Sequence, residues 1–230
     1  IEALVDGPVS LRSYVDTGPV QERVFAAYGG LGWIGKNTNL ISKKDGSMFF
    51  LGEIFTDILL EPSKVAPKNH CGTCRECIDI CPTKAIIAPY QLDANRCISY
   101  LTIESKKSIP VEFRKPIGNR IFGCDDCQLF CPWNKYAKLT AVTDFTPRHG
   151  LENTKLTDLF LLDEDEFEKM TIGSAIRRVS YPQWIRNLAI ALGNAPTSPE
   201  VLQALEKRLT FPDEMVLEHV NWAILEHKKN

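Results

Sequence analysis

Eight cysteines are the residues in this chain best suited to chemistry, and all lie between positions 71 and 131. The first run is Cys71-x2-Cys74-x2-Cys77-x3-Cys81-Pro82. The second is Cys124-x2-Cys127-x3-Cys131-Pro132, with Cys97 alone upstream. Three thiolates at this spacing can each take one iron of a cubane from a single loop, while the cysteine before proline serves the other cluster. Applied to both runs, that crossover gives Cys71, Cys74, Cys77 and Cys131 to one [4Fe–4S] cluster. Cys81, Cys124 and Cys127 go to a second, and Cys97 is the only cysteine left to complete it. Two such clusters move electrons one at a time.

Structural zinc also favours Cys-x2-Cys pairs, and two zinc sites would likewise use eight cysteines. The triple run followed by Cys-Pro, with a second Cys-Pro later, is not a typical zinc spacing. Disulfides would suit a small secreted domain, but nothing here resembles a secretory signal. With 230 residues, 44% hydrophobic and 24% charged, the chain is long enough for a sizeable core and more than one domain. No apolar run approaches the roughly 20 residues that span a bilayer, so no membrane association is expected. A net charge of −2 argues against a chain that coats nucleic acid non-specifically. Ile1 opens inside an alternating stretch, Ile1, Ala3 and Val5, which suggests a piece of a longer protein.

The elements that must position the cysteines form three expected parts. Residues 1–65 have mixed α/β character. Val20–Tyr28 predicts a short helix ended by Gly29-Gly30, and Asn37–Ser42 and Met48–Phe55 predict two strands joined by a turn at Lys43-Lys44-Asp45-Gly46. Residues 66–140 contain the two-cluster module, with short helices after the Cys-Pro sites and an insertion over 98–123. Residues 141–230 change character. Ile185, Leu188, Ala189 and Leu192 have helical spacing, and Ser198-Pro199 marks a helix start. Asn187-Leu188-Ala189-Ile190 returns as Asn221-Trp222-Ala223-Ile224, which suggests an α-solenoid of helical pairs.

Gly30-Leu31-Gly32-Trp33-Ile34-Gly35 matches the dinucleotide pattern G-x-G-x-x-G. That pattern should follow a strand and open a helix. Here the sequence puts a helix before it and a strand after it, so the glycines are read as a tight turn or a close approach to something bulky. The four histidines, His70, His149, His219 and His227, are too scattered for a metal site.

Several segments together resemble the epoxyqueuosine reductase family. They are Val15-Asp16-Thr17-Gly18-Pro19-Val20 with Glu22-Arg23, the run Gly30–Thr38, the double cluster motif with Gly123-Cys124-Asp125-Asp126-Cys127-Gln128, and Arg186–Asn194. The resemblance implies an α+β chain: a partial cobalamin domain of nitroreductase-like fold, a bacterial two-[4Fe–4S] ferredoxin-like module, and a C-terminal all-α HEAT-like repeat domain. It implies a cytoplasmic, monomeric oxidoreductase that reduces epoxyqueuosine to queuosine at the wobble position of tRNA. The cofactors are cobalamin and two clusters, fed by an external low-potential electron donor. A reductive dehalogenase, which would share both cofactors, and a pure two-cluster electron carrier are the alternatives.

On that resemblance Asp16 is the general acid, its pKa raised by burial beside the corrin. Read without it, Asp16 would cap the following helix. Cobalamin contacts are sought at Trp33, Lys36, Asn37, Thr38 and Ile41, and at Ser99 and Tyr100 beside Cys97. For tRNA phosphates the candidates are Arg177, Arg178 and Arg186, with Lys106, Lys107, Arg114 and Lys115 as a second patch. Trp184 is a candidate to stack on a base.

Overall fold

The structure is a computed structural model and describes residues 7–63 and 68–229. The stretch Ile1, Ala3 and Val5 lies outside the described residues. The chain divides into two compact units whose boundaries do not follow chain order, and residues 66–140 are shared between them.

The first unit comprises Ile1–Cys81, Ile86–Leu92 and Asp126–Leu139. Its elements are β1 (Leu11–Tyr14), α1 (Glu22–Tyr28), β2 (Trp33–Ile34), β3 (Leu40–Ile41), β4 (Glu53–Thr56), α2 (Glu76–Ile80), β5 (Ile86–Ala88) and β6 (Gln91–Leu92). The short helix Asp126–Leu129, α4 in chain order, also belongs to it. The strands pair as three antiparallel ribbons, β1 with β4, β2 with β3, and β5 with β6. The expected hairpin over 37–55 is therefore corrected. Residues Leu40–Ile41 turn back onto Trp33–Ile34, and Glu53–Thr56 pairs with the distant Leu11–Tyr14. Only the Ser42–Gly46 bridge survives from the predicted turn. The reason lies in the glycines. A Cβ on Gly32 would stand 2.1 Å from the Ile41 carbonyl oxygen, so only glycine allows the fold-back. With α1 before these glycines and β2 inside the run, the motif lacks the strand-then-helix setting of a dinucleotide site.

The second unit comprises Pro82–Ala85, Asp93–Asp125 and Thr140–Asn230. It contains α3 (Val111–Ile117), α5 (Leu156–Leu161), α6 (Glu164–Met170), α7 (Tyr181–Gly193), α8 (Pro199–Lys207) and α9 (Glu214–Lys228). Helix α7 is the centre. Ser180 caps it through a reciprocal capping box with Gln183, Pro182 sits in its first turn, and nearly every residue of it is buried. A helix apolar on all sides belongs in an interior. Trp184, Ile185, Leu188 and Leu192 meet Phe160, Leu205, Val216 and Val220 in one core. Trp184 is fully buried there and cannot stack on a base. A Cβ on Gly193 would lie 2.9 Å from Ala223 Cα, so this glycine sets how closely α9 crosses α7. Helix α8 starts as the sequence predicts, with the Ser198 side chain accepting from the Val201 N–H.

The repeat at Asn187 and Asn221 is one of packing and not of polar role. Buried Asn187 donates to the carbonyls of Thr102 and Ile121, whereas exposed Asn221 donates to the Leu217 carbonyl within its own helix.

His219 on α9 is fully buried. Its Nε2 accepts the Ile109 backbone N–H at 3.1 Å, and its Nδ1 lies 2.7 Å from the Met215 carbonyl oxygen, so Nδ1 carries the proton. Burial, aided by the nearby Arg114 and Arg186 cations against the opposing pull of Glu218, lowers its pKa to about 4 from 6.5. The unfolded chain binds a proton here that the fold excludes, so stability is complete above about pH 6.5. The part contributed by His219 falls as the pH drops and is lost near pH 4, a loss on the order of 3 kcal/mol. Urea unfolding across this range should therefore show a flatter pH dependence in His219→Gln than in the native sequence.

Candidate functional site

The loop of the first cysteine run is shaped by local hydrogen bonds. Asn69 Oδ1 accepts the Cys71 N–H at 2.8 Å, the Cys74 N–H reaches the Cys71 carbonyl, and Gly72 takes a positive φ of 49°. Helix α2 then carries Cys77. After Cys131 the chain enters a short 3-10 turn, Pro132–Tyr136. As a result Cys71, Cys74, Cys77 and Cys131 line a single pocket of about 90 Å³, closed by Ile41 and Trp133. These are the four residues that the crossover assigns to one cluster.

Among the described residues no three His, Cys, Asp or Glu side chains converge as a single-ion site would require. Four sulfurs spread around a pocket suit a cubane, whose irons each take one thiolate. Burial and the neighbouring Cys131, Cys71 and Cys74 sulfurs push the Cys77 thiol up to about 11, and burial raises Cys131 as well. Thiolates must form to bind iron, so loading releases protons and iron supplies the compensating charge.

Of the other four cysteines, Cys81 and Cys127 belong to the first unit and Cys97 and Cys124 to the second. Cys97 follows a 3-10 turn, Ala94–Arg96, capped by Asp93. Beyond it Tyr100–Glu104 forms one turn of π-helix, a geometry often found at functional sites. Ser99 Oγ accepts the Cys124 N–H at 3.0 Å and donates to the Cys124 carbonyl at 3.2 Å. It thereby fixes Cys124 beside the Cys97 segment.

Most of the residues sought as cobalamin contacts are committed elsewhere. Trp33 is 3% exposed and donates its indole N–H to Cys71 Sγ at 3.5 Å. Lys36 Nζ donates to the Gly72 and Cys74 carbonyls, each at 2.7 Å. Asn37 donates to the Cys127 carbonyl at 3.1 Å, and Ile41 is core. The Thr38 carbonyl is bonded to Arg23, and Ser99 is bonded to Cys124. Thr38 itself has a φ of 67°, costly for a β-branched residue. Trp33, Lys36, Asn37 and Ser99 thus hold cysteine segments. Tyr100 is the exception, with its ring partly exposed.

Asp16 is exposed, with a φ of 60°. The helix-cap reading fails, because α1 starts after Gln21 and has no side-chain cap. The β1–β4 register sets Tyr14 opposite Glu53, and a Cβ on Gly52 would lie 3.3 Å from Val15 Cγ2. Tyr14, two residues before Asp16, is thus paired with a residue that lines a recess the sequence did not reveal. This recess of about 760 Å³ is lined by Phe25, Phe49, Phe50, Leu51, Ile54 and Phe55 among others. The signal for it was the aromatic density of residues 49–55, which a solvent-facing strand does not need. Glu53 also lines it. Its Oε2 is buried without a hydrogen-bond partner among the described residues, and burial with the nearby Glu22 carboxylate raises its pKa.

Two basic residues proposed for phosphate contact are interior. Arg186 is fully buried and donates to the carbonyls of Leu101, Ser105 and Lys107 and to Asn187 Oδ1. Arg114 is 2% exposed, bonded to the Ile109 carbonyl and paired with Glu218. Neither can reach a phosphate. Arg177, Arg178, Lys106, Lys107 and Lys115 are exposed. Three of these have acidic neighbours, Arg177 with Glu168, Arg178 with Glu104 and Lys115 with Glu226.

Residues 70–134 match the family model of a 4Fe–4S double cluster binding domain. A curated epoxyqueuosine reductase of Pseudomonas aeruginosa is 55% identical over 96% of this chain and 61% of its own length. A crystal structure of epoxyqueuosine reductase with an epoxyqueuosine-modified tRNA-Tyr stem loop superposes with a TM-score of 0.75. It is 30% identical over 96% of this chain and 67% of its own. The chain belongs to the epoxyqueuosine reductase family. Another member of the family, from Bacillus subtilis, has been solved with its catalytic aspartate loop swung out of the active site. It gives a TM-score of 0.76 at 29% identity over 94% of this chain and 66% of its own. The present chain spans 61% of the length of the Pseudomonas relative.

Replacing Cys131 with serine should remove one cluster and leave about four of the roughly eight irons expected per chain. Iron analysis after anaerobic reconstitution, with circular dichroism to show retained helix, measures this directly.

Proposed function

We propose that the chain reduces epoxyqueuosine to queuosine in tRNA, taking electrons from an external low-potential donor through two [4Fe–4S] clusters. The observation that carries this reading is the contact between the glycine-rich turn and the cysteine loops of the first unit. Trp33, Lys36 and Asn37 lie outside the cluster module, yet each bonds to it. Electrons leaving the first cluster therefore have a packed route into the fold that carries Asp16. A bare electron carrier has no use for that fold, or for the helical unit around α7.

Cobalamin fits the recess lined by Glu53 on two counts. Its apolar walls suit the faces of a large ring, and the orphaned Glu53 oxygen suits an amide-bearing rim. When bound, the cofactor supplies one-electron redox chemistry at cobalt. The overall reaction takes two electrons and two protons, turns the epoxide into an alkene and releases its oxygen as water. Asp16 supplies a proton to that departing oxygen, because an alkoxide is a poor leaving group without an acid at hand. The family's crystal structure with a tRNA stem loop supports tRNA as the partner. The helices α5–α9 then act as a HEAT-like scaffold, and the strands β1–β4 as part of a nitroreductase-like domain. Arg177 and Arg178, side by side on the turn Ala175–Arg178, are the best remaining phosphate contacts. The chain works as a cytoplasmic monomer.

In the full-length protein Asp16→Asn should lower turnover by about 10²–10⁴-fold while iron, corrin and tRNA binding persist; unchanged turnover overturns the acid role. Replacing Arg177 and Arg178 with glutamine should weaken tRNA binding and reduce the slope of log affinity against log salt by up to about 2.

A further inference from the structure

The glycine-rich run Gly30–Gly35 needs a purpose once a dinucleotide is excluded, and the structure shows what it presents. Gly32 and Gly35 let β2 close on β3, where any Cβ would strike Ile41. The turn between them is tight. The Thr38 N–H bonds to the Gly35 carbonyl at 2.9 Å, the Gly35 N–H bonds to the Asn39 carbonyl at 2.8 Å, and the Asn39 N–H bonds to Asn37 Oδ1. A strained Thr38 sits within it, and such strain persists only where the surroundings over-determine it.

This rigid turn offers side-chain donors to two different cysteine sulfurs. Trp33 Nε1–H lies 3.5 Å from Cys71 Sγ, and Asn39 Nδ2–H lies 3.8 Å from Cys127 Sγ. The crossover puts Cys71 on one cluster and Cys127 on the other. Trp33 is also locked in place, edge-on to His70 and to Trp133 at centroid separations of 4.9 and 5.0 Å. Lys36, by contrast, reaches backbone carbonyls only and serves as scaffold.

We propose that Trp33 and Asn39 are positioning residues that set the reduction potentials of the two clusters, one residue for each. A donor aimed at a ligating sulfur withdraws charge from it. The reduced cluster, with one more negative charge, gains more from this than the oxidised one, so the potential rises. The two bonds differ in length and in shielding, Trp33 being buried and Asn39 half-exposed. One turn would therefore set the order in which the clusters accept electrons. This depends on the double cluster domain and not on which substrate finally receives the electrons.

The test is an EPR-monitored redox titration of the anaerobically reconstituted full-length protein, using dithionite as reductant. Trp33→Phe keeps the ring packing and removes the donor, and Asn39→Leu does the same for the amide. Each variant should lower the midpoint of one cluster signal and leave the other unmoved. A shift of about tenfold in the reduction equilibrium corresponds to about 59 mV for one electron. An unmoved midpoint in either iron-replete variant overturns the proposal. So does a variant that moves both signals equally, or loss of iron in both variants, which would make the turn a builder of the sites and not a tuner. If only one variant loads iron, the midpoint shift in that variant decides.

Discussion

Four cysteine sulfurs around a pocket of about 90 Å³ repel one another as soon as they ionise, and much of the first unit is organised to bring them together all the same. Their mutual influence and burial hold Cys77 as a thiol, up to about 11, so the protein alone does not favour the charged ligand set. Iron supplies what is missing, and metal binding becomes part of the folding free energy. Around this centre the chain spends its donors on backbone carbonyls and sulfur. Lys36 holds two carbonyls of the Cys71–Cys74 loop, Asn37 holds that of Cys127, and Trp33 reaches the Cys71 sulfur. A loop with little regular structure must find partners for its polar groups somewhere. Here it finds them on the turn that the glycines make possible.

The second unit solves the same problem for the segment that carries Cys97 and Cys124. Residues 98–123 contain only a turn of π-helix and one short α-helix, and many of their carbonyls have no repeating partner. Helix α7 supplies the donors. Arg186 bonds to three of these carbonyls, Asn187 to two, and Asn194 to those of Arg114 and Gly118. Burial lowers the Arg186 pKa to about 10, which still leaves it charged near neutral pH. An ion buried this deeply is tolerated because oriented carbonyls replace its water. Removing such a group would strand several acceptors at once. The helix at the centre of the apolar core is thus also the anchor for two cluster cysteines.

Both arrangements place polar side chains where charge alone would misassign them. An arginine beside apolar helical positions looks like a cation offered to phosphate, yet Arg186 and Arg114 are among the largest fully buried side chains. Lys36 and Asn37 resemble ordinary turn polarity and instead fasten a cysteine loop. In each case a nearby backbone short of hydrogen bonds outcompeted solvent, and such a shortage is visible only in three dimensions.

Ligand chemistry was therefore the part that the sequence determined by itself. Thiolate spacing along a loop is a local property and puts Cys71, Cys74 and Cys77 on one loop, whereas Cys131, which lines the same pocket, comes from the second run. The helix start at Ser198, the apolar face of α7 and the wrong setting of the glycine motif were legible for the same reason, since each depends on neighbours a few residues away. Strand partners were not. Leu11–Tyr14 pairs with Glu53–Thr56 across most of the first unit, and Leu40–Ile41 takes a partner that only the missing Cβ of Gly32 permits. The recess along residues 49–55, the Glu53 carboxyl within it, and the donors aimed at Cys71 and Cys127 all follow from those pairings. Tertiary structure decided them because they depend on which distant segments come within a few ångströms, and no local pattern encodes that.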